Sequence, residues 1–177
     1  MTLLQTVAPD TATGPVAATY AQIRAAWGSV PTAIQLFSPS PFLLQHQWDY
    51  YASVLQHPTL SPALLACIRM LVSIRGQCDY CIDMNAGLLI QMCQWTPEQV
   101  TATRADYRQS PLSDREQALL GLVLKATQTP IDVTADDLSR ARTAGWNDGE
   151  ILDAVNHGAR MVAGDILINT FKVERDF

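Results

Sequence analysis

The chain has 177 residues, with 12 Lys and Arg against 17 Asp and Glu, a formal charge of −5, and 48% hydrophobic residues. That balance is too apolar for a disordered chain and too acidic for a nucleic-acid partner, and the length suits one domain with its own core. No apolar run approaches the roughly 20 residues that cross a bilayer, so no membrane partner is expected. The start, MTLLQTVAPDTATG, has no basic region ahead of an apolar core. No secretory signal is therefore read, and a cytoplasmic location is expected.

The elements follow in chain order, and all of them read as helices. Pro15 suits a first helical turn; Val16, Tyr20, Ile23 and Trp27 follow at helical spacing, and Gly28 stops the run. Ala33–Phe37 is a short apolar piece. Ser40-Pro41 starts an aromatic-rich helix, Phe42–Gln56, carrying Phe42, Trp48, Tyr51 and Leu55. His57-Pro58 ends it and Ser61-Pro62 starts another, whose buried stripe is Leu64, Cys67, Ile68 and Leu71. Arg75-Gly76-Gln77 breaks this helix, and Cys78 opens the next, which runs to about Met92. Thr96-Pro97-Glu98 starts a short helix to Tyr107. Ser113 to Glu116 is a capping box ahead of Leu119, Leu120, Val123 and Ala126. Thr134 to Asp137 opens a helix ending at Gly145, and Asn147 to Glu150 opens the last, with Ile151, Val155, Val162 and Ile166 on one face. Only Met70–Ile74 rivals this pattern, since MLVSI also passes for a strand. The expected fold class is all-α, a single-domain helical bundle.

Cys78 and Cys81 carry the chemistry. Three residues apart at a helix start, the two sulfurs share one side of the first turn. Unpaired N–H groups and the positive end of the helix dipole favour a thiolate there, and Arg75 adds a cation one turn upstream. Four readings of CxxC compete. A thioredoxin-like site needs a preceding strand and βαβ elements, which the helical pattern after Cys81 opposes. A c-type haem site needs His after the second Cys, where Ile82 stands. A structural zinc site needs four ligands, and Cys67 and Cys93 are isolated. Buried small hydrophobes are the fourth reading, and the preferred one for Cys67 and Cys93.

The stretch SIRGQCDYCIDMNAGLL, Ser73–Leu89, resembles the core motif of the alkyl hydroperoxidase D-like, or carboxymuconolactone decarboxylase, family. Leu112–Met161 is similar to that family's later helices, including a G-W-x-D-x-E-I turn at Gly145–Ile151. The resemblance covers about Ser40 to Phe171. It implies an all-α core over residues 40–177, with residues 1–39 as an N-terminal helical extension packed on it. It also implies homo-oligomers, trimers or hexamers, and thiol-dependent reduction of small hydroperoxides or disulfides. In that scheme Cys81 attacks and Cys78 resolves. No cofactor or metal is implied, and the electrons come from a thiol-based reductant. The alternatives are a non-catalytic oligomeric redox sensor or binding protein, and a carboxymuconolactone decarboxylase-like enzyme, which would need an acid–base set not identifiable in the sequence.

The chain departs from the family's pattern at two relay positions. A Glu expected twelve residues before the first cysteine is Ala66, and a His expected four after the second is Asn85. Asp79, Asp83, His46, His57 and His157 are the candidate substitutes. His57 reads as a solvated helix end. His157 falls opposite the Ile151, Val155, Val162 and Ile166 stripe, and so reads as solvent-facing or a subunit contact. Trp48, Tyr50, Tyr51 and Tyr80 read as core or interface, or as the lining of a small apolar pocket.

Overall fold

Caps and first-turn prolines set the starts of most helices in the computed structural model, which describes residues 2–177. The helices are α1 Gly14–Trp27, α2 Thr32–Gln35, α3 Pro41–Val54, α4 Pro62–Gly76, α5 Asp79–Gln91, α6 Pro97–Ala105, α7 Asp114–Gln128, α8 Ala135–Thr143 and α9 Asp148–Phe171. Ser61 Oγ accepts from Leu64 N–H at 3.1 Å to start α4. Thr96, Ser113 and Thr134 each form a reciprocal capping box with the residue three positions on. Asn147 and Glu150 exchange backbone-to-side-chain bonds of 2.9 and 3.0 Å at the start of α9. The described residues contain no β-strand, and Met70–Ile74 lies inside α4. The fold is all-α.

The chain forms two compact units. One comprises the chain up to His57 together with Leu167–Phe177; the other is Pro58–Ile166. In the first, α1, α2 and α3 enclose a core of Val16, Tyr20, Ile23, Val30, Ile34, Leu44 and Trp48. Trp27 packs edge-on against Trp48 and Tyr51. Gly28 takes the left-handed conformation (φ 80°) that ends α1. The α3 face differs from the expected one: Phe42 is exposed, and Leu44, Trp48 and Val54 are buried.

The second unit is built around α4. Every residue from Leu64 to Ser73 is buried, so this helix has no solvent face over almost three turns. It packs most extensively against α5, then against α7. The Trp146 indole donates to the Arg115 carbonyl at 2.7 Å while the Arg115 guanidinium stacks on its ring at 3.7 Å, which ties the α8–α9 turn to the start of α7.

The inward face of α9 in this unit is a correction to the sequence reading. Ile151, Ala154, His157, Gly158, Met161 and Asp165 are buried. Val155 and Val162 are half-buried and Ile166 is exposed. A Cβ at Gly158 would lie 2.7 Å from Val123 Cγ1 and 2.9 Å from Thr127 Cγ2. Close approach to α7 therefore selects the small-residue face, although the valine face is the more hydrophobic.

Candidate functional site

The break between α4 and α5 is what presents the cysteines. Gln77 takes a left-handed conformation (φ 50°), its N–H donates to the Ile74 carbonyl, and Cys78 N–H donates to the Ser73 carbonyl at 3.1 Å. These two bonds make a Schellman ending for α4. The residue in the left-handed position is Gln77, not the glycine beside it. Cys78 then serves as the N-cap residue of α5, and Cys81 lies in its first turn.

The two sulfurs are 2.7 Å apart, as free thiols. Both are buried, with Cys78 0% and Cys81 3% exposed. A third group completes the cluster. Asp165, from α9, places a carboxylate oxygen so that it and the two sulfurs all lie within 4.8 Å of one another. Ser73 Oγ donates to Asp165 Oδ1 at 2.8 Å, and Oδ2 is buried with no hydrogen-bond partner. Gly76 makes room for this carboxylate: a Cβ there would sit 2.5 Å from Oδ2 and 3.0 Å from Cβ and Cγ of Asp165. The glycine is needed for close approach rather than for a turn.

The electrostatics oppose the expected easy thiolate. The hydrogen bond with Cys78, burial, and the charges of Cys78 and Asp165 push the Cys81 thiol well above its ordinary value. Burial also raises Asp165, although Ser73 and the two thiols partly offset this by favouring its ionised form. The helix start does not overcome these effects. Arg75 is exposed, and the charges acting on Cys81 are those of Cys78 and Asp165.

The two departures from the expected relay have structural counterparts. Ala66 is buried within α4. Asn85 donates from Nδ2 to the Cys81 carbonyl at 2.7 Å and accepts from Arg69 Nε at 2.6 Å. It braces the cysteine turn against a buried guanidinium and does not titrate. His157, read as solvent-facing, is buried beside that guanidinium, with Nε2 3.2 Å from Arg69 Nη1. Burial, and then the Arg69 charge, hold its pKa down at about 3, so it is a neutral imidazole. Asp83 pairs with Arg104 at 3.2 Å. Asp79 is exposed, His57 is half-buried after α3, and His46 is exposed and stacked on Phe42. The carboxylate at the sulfurs is Asp165, a residue the sequence reading did not single out.

Cys67 is fully buried on α4, and its thiol is raised to about 12 by burial. Cys93 is half-buried. Neither joins the cluster, which therefore offers three donors where a closed structural zinc site uses four. Two thiolates on one tetrahedral zinc lie about 3.8 Å apart, given Zn–S bonds of ~2.3 Å. The observed 2.7 Å is shorter than that span. Among the described residues, no helix is long and apolar enough to cross a membrane.

No family model and no curated protein matches the sequence. Solved structures do match. A peroxidase-related protein from Silicibacter sp. TM1040 superposes with a TM-score of 0.85 at 20% identity, over 99% of this chain and 92% of that one. A peroxidase-related protein with an alkylhydroperoxidase AhpD core, from Ralstonia eutropha JMP134, gives a TM-score of 0.86 at 16% identity, over 99% and 92%. A protein of unknown function from Agrobacterium tumefaciens, named as a candidate AhpD antioxidant defence protein, gives a TM-score of 0.63 at 19% identity, over 80% and 95%. The chain therefore has the all-α fold of the AhpD-like, peroxidase-related proteins.

Proposed function

We propose that this protein is a thiol-dependent peroxidase or disulfide oxidoreductase working through Cys78 and Cys81. The observation that carries the reading is the buried dithiol at the start of α5, its sulfurs 2.7 Å apart beside a carboxylate. In this reading Cys81 attacks the peroxide or disulfide and Cys78 resolves it. A thiol-based reductant restores the dithiol, and no bound cofactor takes part. The names of the structural neighbours support an antioxidant role. The short separation supports condensation of Cys78 with a Cys81 sulfenic acid, because closure from 2.7 Å to the usual disulfide bond of about 2.05 Å needs only a small movement.

Self-association belongs to the same proposal, as a homo-oligomer, trimer or hexamer. Leu152, Val155, Ala159, Val162, Ala163 and Ile166 form an uncharged stripe along α9, with Leu152 68% and Ile166 60% exposed. An exposed apolar stripe of that length supports a contact with a second copy. A second copy meets it without burying a charge.

The test is peroxide consumption with a dithiol donor, comparing wild type with Cys81→Ser and Cys78→Ser. Turnover is expected to vanish in the first. With the donor omitted, the second is expected to stop after one peroxide per chain, with Cys81 as a sulfenic acid. Equal rates in wild type and Cys81→Ser refute the proposal. Burial of both sulfurs favours one second reading, a redox sensor. It predicts a titratable disulfide with no turnover in the same assay.

A further inference from the structure

A buried dithiol cannot react without disposing of a proton. Cys78 and Cys81 are 0% and 3% exposed, so neither thiol loses its proton readily to bulk water. Nor can the buried cluster easily hold two negative charges, an ionised carboxylate and a thiolate, in contact. A transfer inside the cluster avoids both difficulties. The proton moves from sulfur to carboxylate, and the cluster keeps a single negative charge throughout.

We infer that Asp165 is the proton acceptor and donor of the Cys78–Cys81 pair, oriented by Ser73 and given room by Gly76. Its oxygen and both sulfurs lie within 4.8 Å of one another. Ser73 holds Oδ1 at 2.8 Å, while Oδ2 is buried and without a partner. Ser73 and the two thiols are the groups that favour the ionised form of this buried carboxylate, so a proton exchanged with the thiols needs no other partner. The titratable groups acting on Asp165 are the two thiols themselves, and Ser73 is its remaining polar neighbour. Among the described residues, no His, Cys, Asp or Glu other than Asp165 forms a cluster with this pair. The chain thus supplies from α9 the base that Ala66 and Asn85 do not provide.

The steps balance on the proposed reaction, on which this inference rests. The Cys81 thiol gives its proton to Asp165, and the thiolate attacks the terminal peroxide oxygen. The O–O bond breaks, its electron pair leaves on the alkoxide, and Asp165 returns the proton to give the alcohol. Cys81 is now a sulfenic acid. The Cys78 thiol next protonates Asp165, and its thiolate attacks the Cys81 sulfur. The S–O bond breaks, and the departing hydroxide takes the proton to leave as water. An external dithiol then reduces the disulfide by exchange, supplying two electrons.

The test uses wild type, Asp165→Asn and Gly76→Ala, each checked for native far-UV circular dichroism. Formation of the Cys78–Cys81 disulfide is followed in single turnover across pH, with a hydroperoxide in one arm and a small neutral disulfide in the other. Asp165→Asn keeps the side-chain shape and loses the titrating oxygen. It is expected to slow both arms by ~100-fold at neutral pH. Its rate should then climb about tenfold per pH unit, because hydroxide has become the base. Gly76→Ala is expected to reproduce this by displacing the carboxylate. An Asp165→Asn rate and pH profile equal to wild type in the disulfide arm overturns the inference. So does a slow Gly76→Ala beside a normal Asp165→Asn. If peroxide fails to oxidise even wild type while the disulfide arm depends on Asp165, peroxide is not the substrate and the role of Asp165 stands.

Discussion

The buried imidazole of His157 makes the stability of this protein depend on pH in a way that can be calculated. In the folded chain it titrates at about 3, against 6.5 when exposed, because burial and the Arg69 charge disfavour the imidazolium. Between those values the unfolded chain binds a proton that the folded chain refuses. Stability is therefore fully present above pH 6.5 and declines as the pH falls towards 3. Each unit is worth about 1.36 kcal/mol, so His157 costs about 2 kcal/mol at pH 5 and about 4 kcal/mol at pH 3. Asp165 works in the opposite sense. Its folded pKa is raised, so acid relieves the cost of burying its charge. The clean readout is thus a difference between wild type and His157→Gln, in which Asp165 cancels. Gln keeps a polar group facing Arg69 and does not titrate. Urea midpoints at pH 7 and pH 5 supply the measurement. With a slope of 1–3 kcal/mol per molar, the wild type should lose about 1 M more than the variant between the two pH values. Parallel losses would show that His157 is not held neutral in the fold.

Two further predictions rest on α9. Gly158→Ala places a methyl 2.7 Å from Val123 Cγ1 and 2.9 Å from Thr127 Cγ2. Overpacking of about 1–3 kcal/mol outweighs the gain of about 0.5–1 kcal/mol from replacing a helical glycine, so the variant should be less stable by about 1–2 kcal/mol. A urea midpoint unchanged or raised at constant slope would contradict that packing. On the opposite side of the same helix, Leu152→Glu with Ile166→Glu should lower the mass seen by light scattering while leaving the helical content intact. An unchanged mass would remove that stripe from the proposed contact.

Much of the secondary structure was legible because its signals are local. Ser61-Pro62, Thr96-Pro97, Ser113 with Glu116 and Thr134 with Asp137 start helices by satisfying N–H groups within four residues, and they do so wherever the chain later packs. Cys78 and Cys81 were legible as neighbours for the same reason, since three residues within one helical turn fix their side. Placing the strand-like MLVSI needed only the long buried helix around it.

Which face of α9 turns inward was not a local matter. That helix has two apolar sides, and hydrophobic periodicity favours the one bearing Val155, Val162 and Ile166. Tertiary packing chose the other, because Gly158 lets the helix approach Val123 and Thr127, and Gly76 leaves space for Asp165. The choice buried a histidine and an aspartate that a pattern built on hydrophobicity assigns to solvent. Sequence by itself determined the helices, their ends and a dithiol at the head of one of them. Only the tertiary structure brought a carboxylate from 84 residues downstream to the sulfurs of Cys81 and its neighbour, because the contact depends on how closely two backbones approach and leaves no periodic trace in either helix.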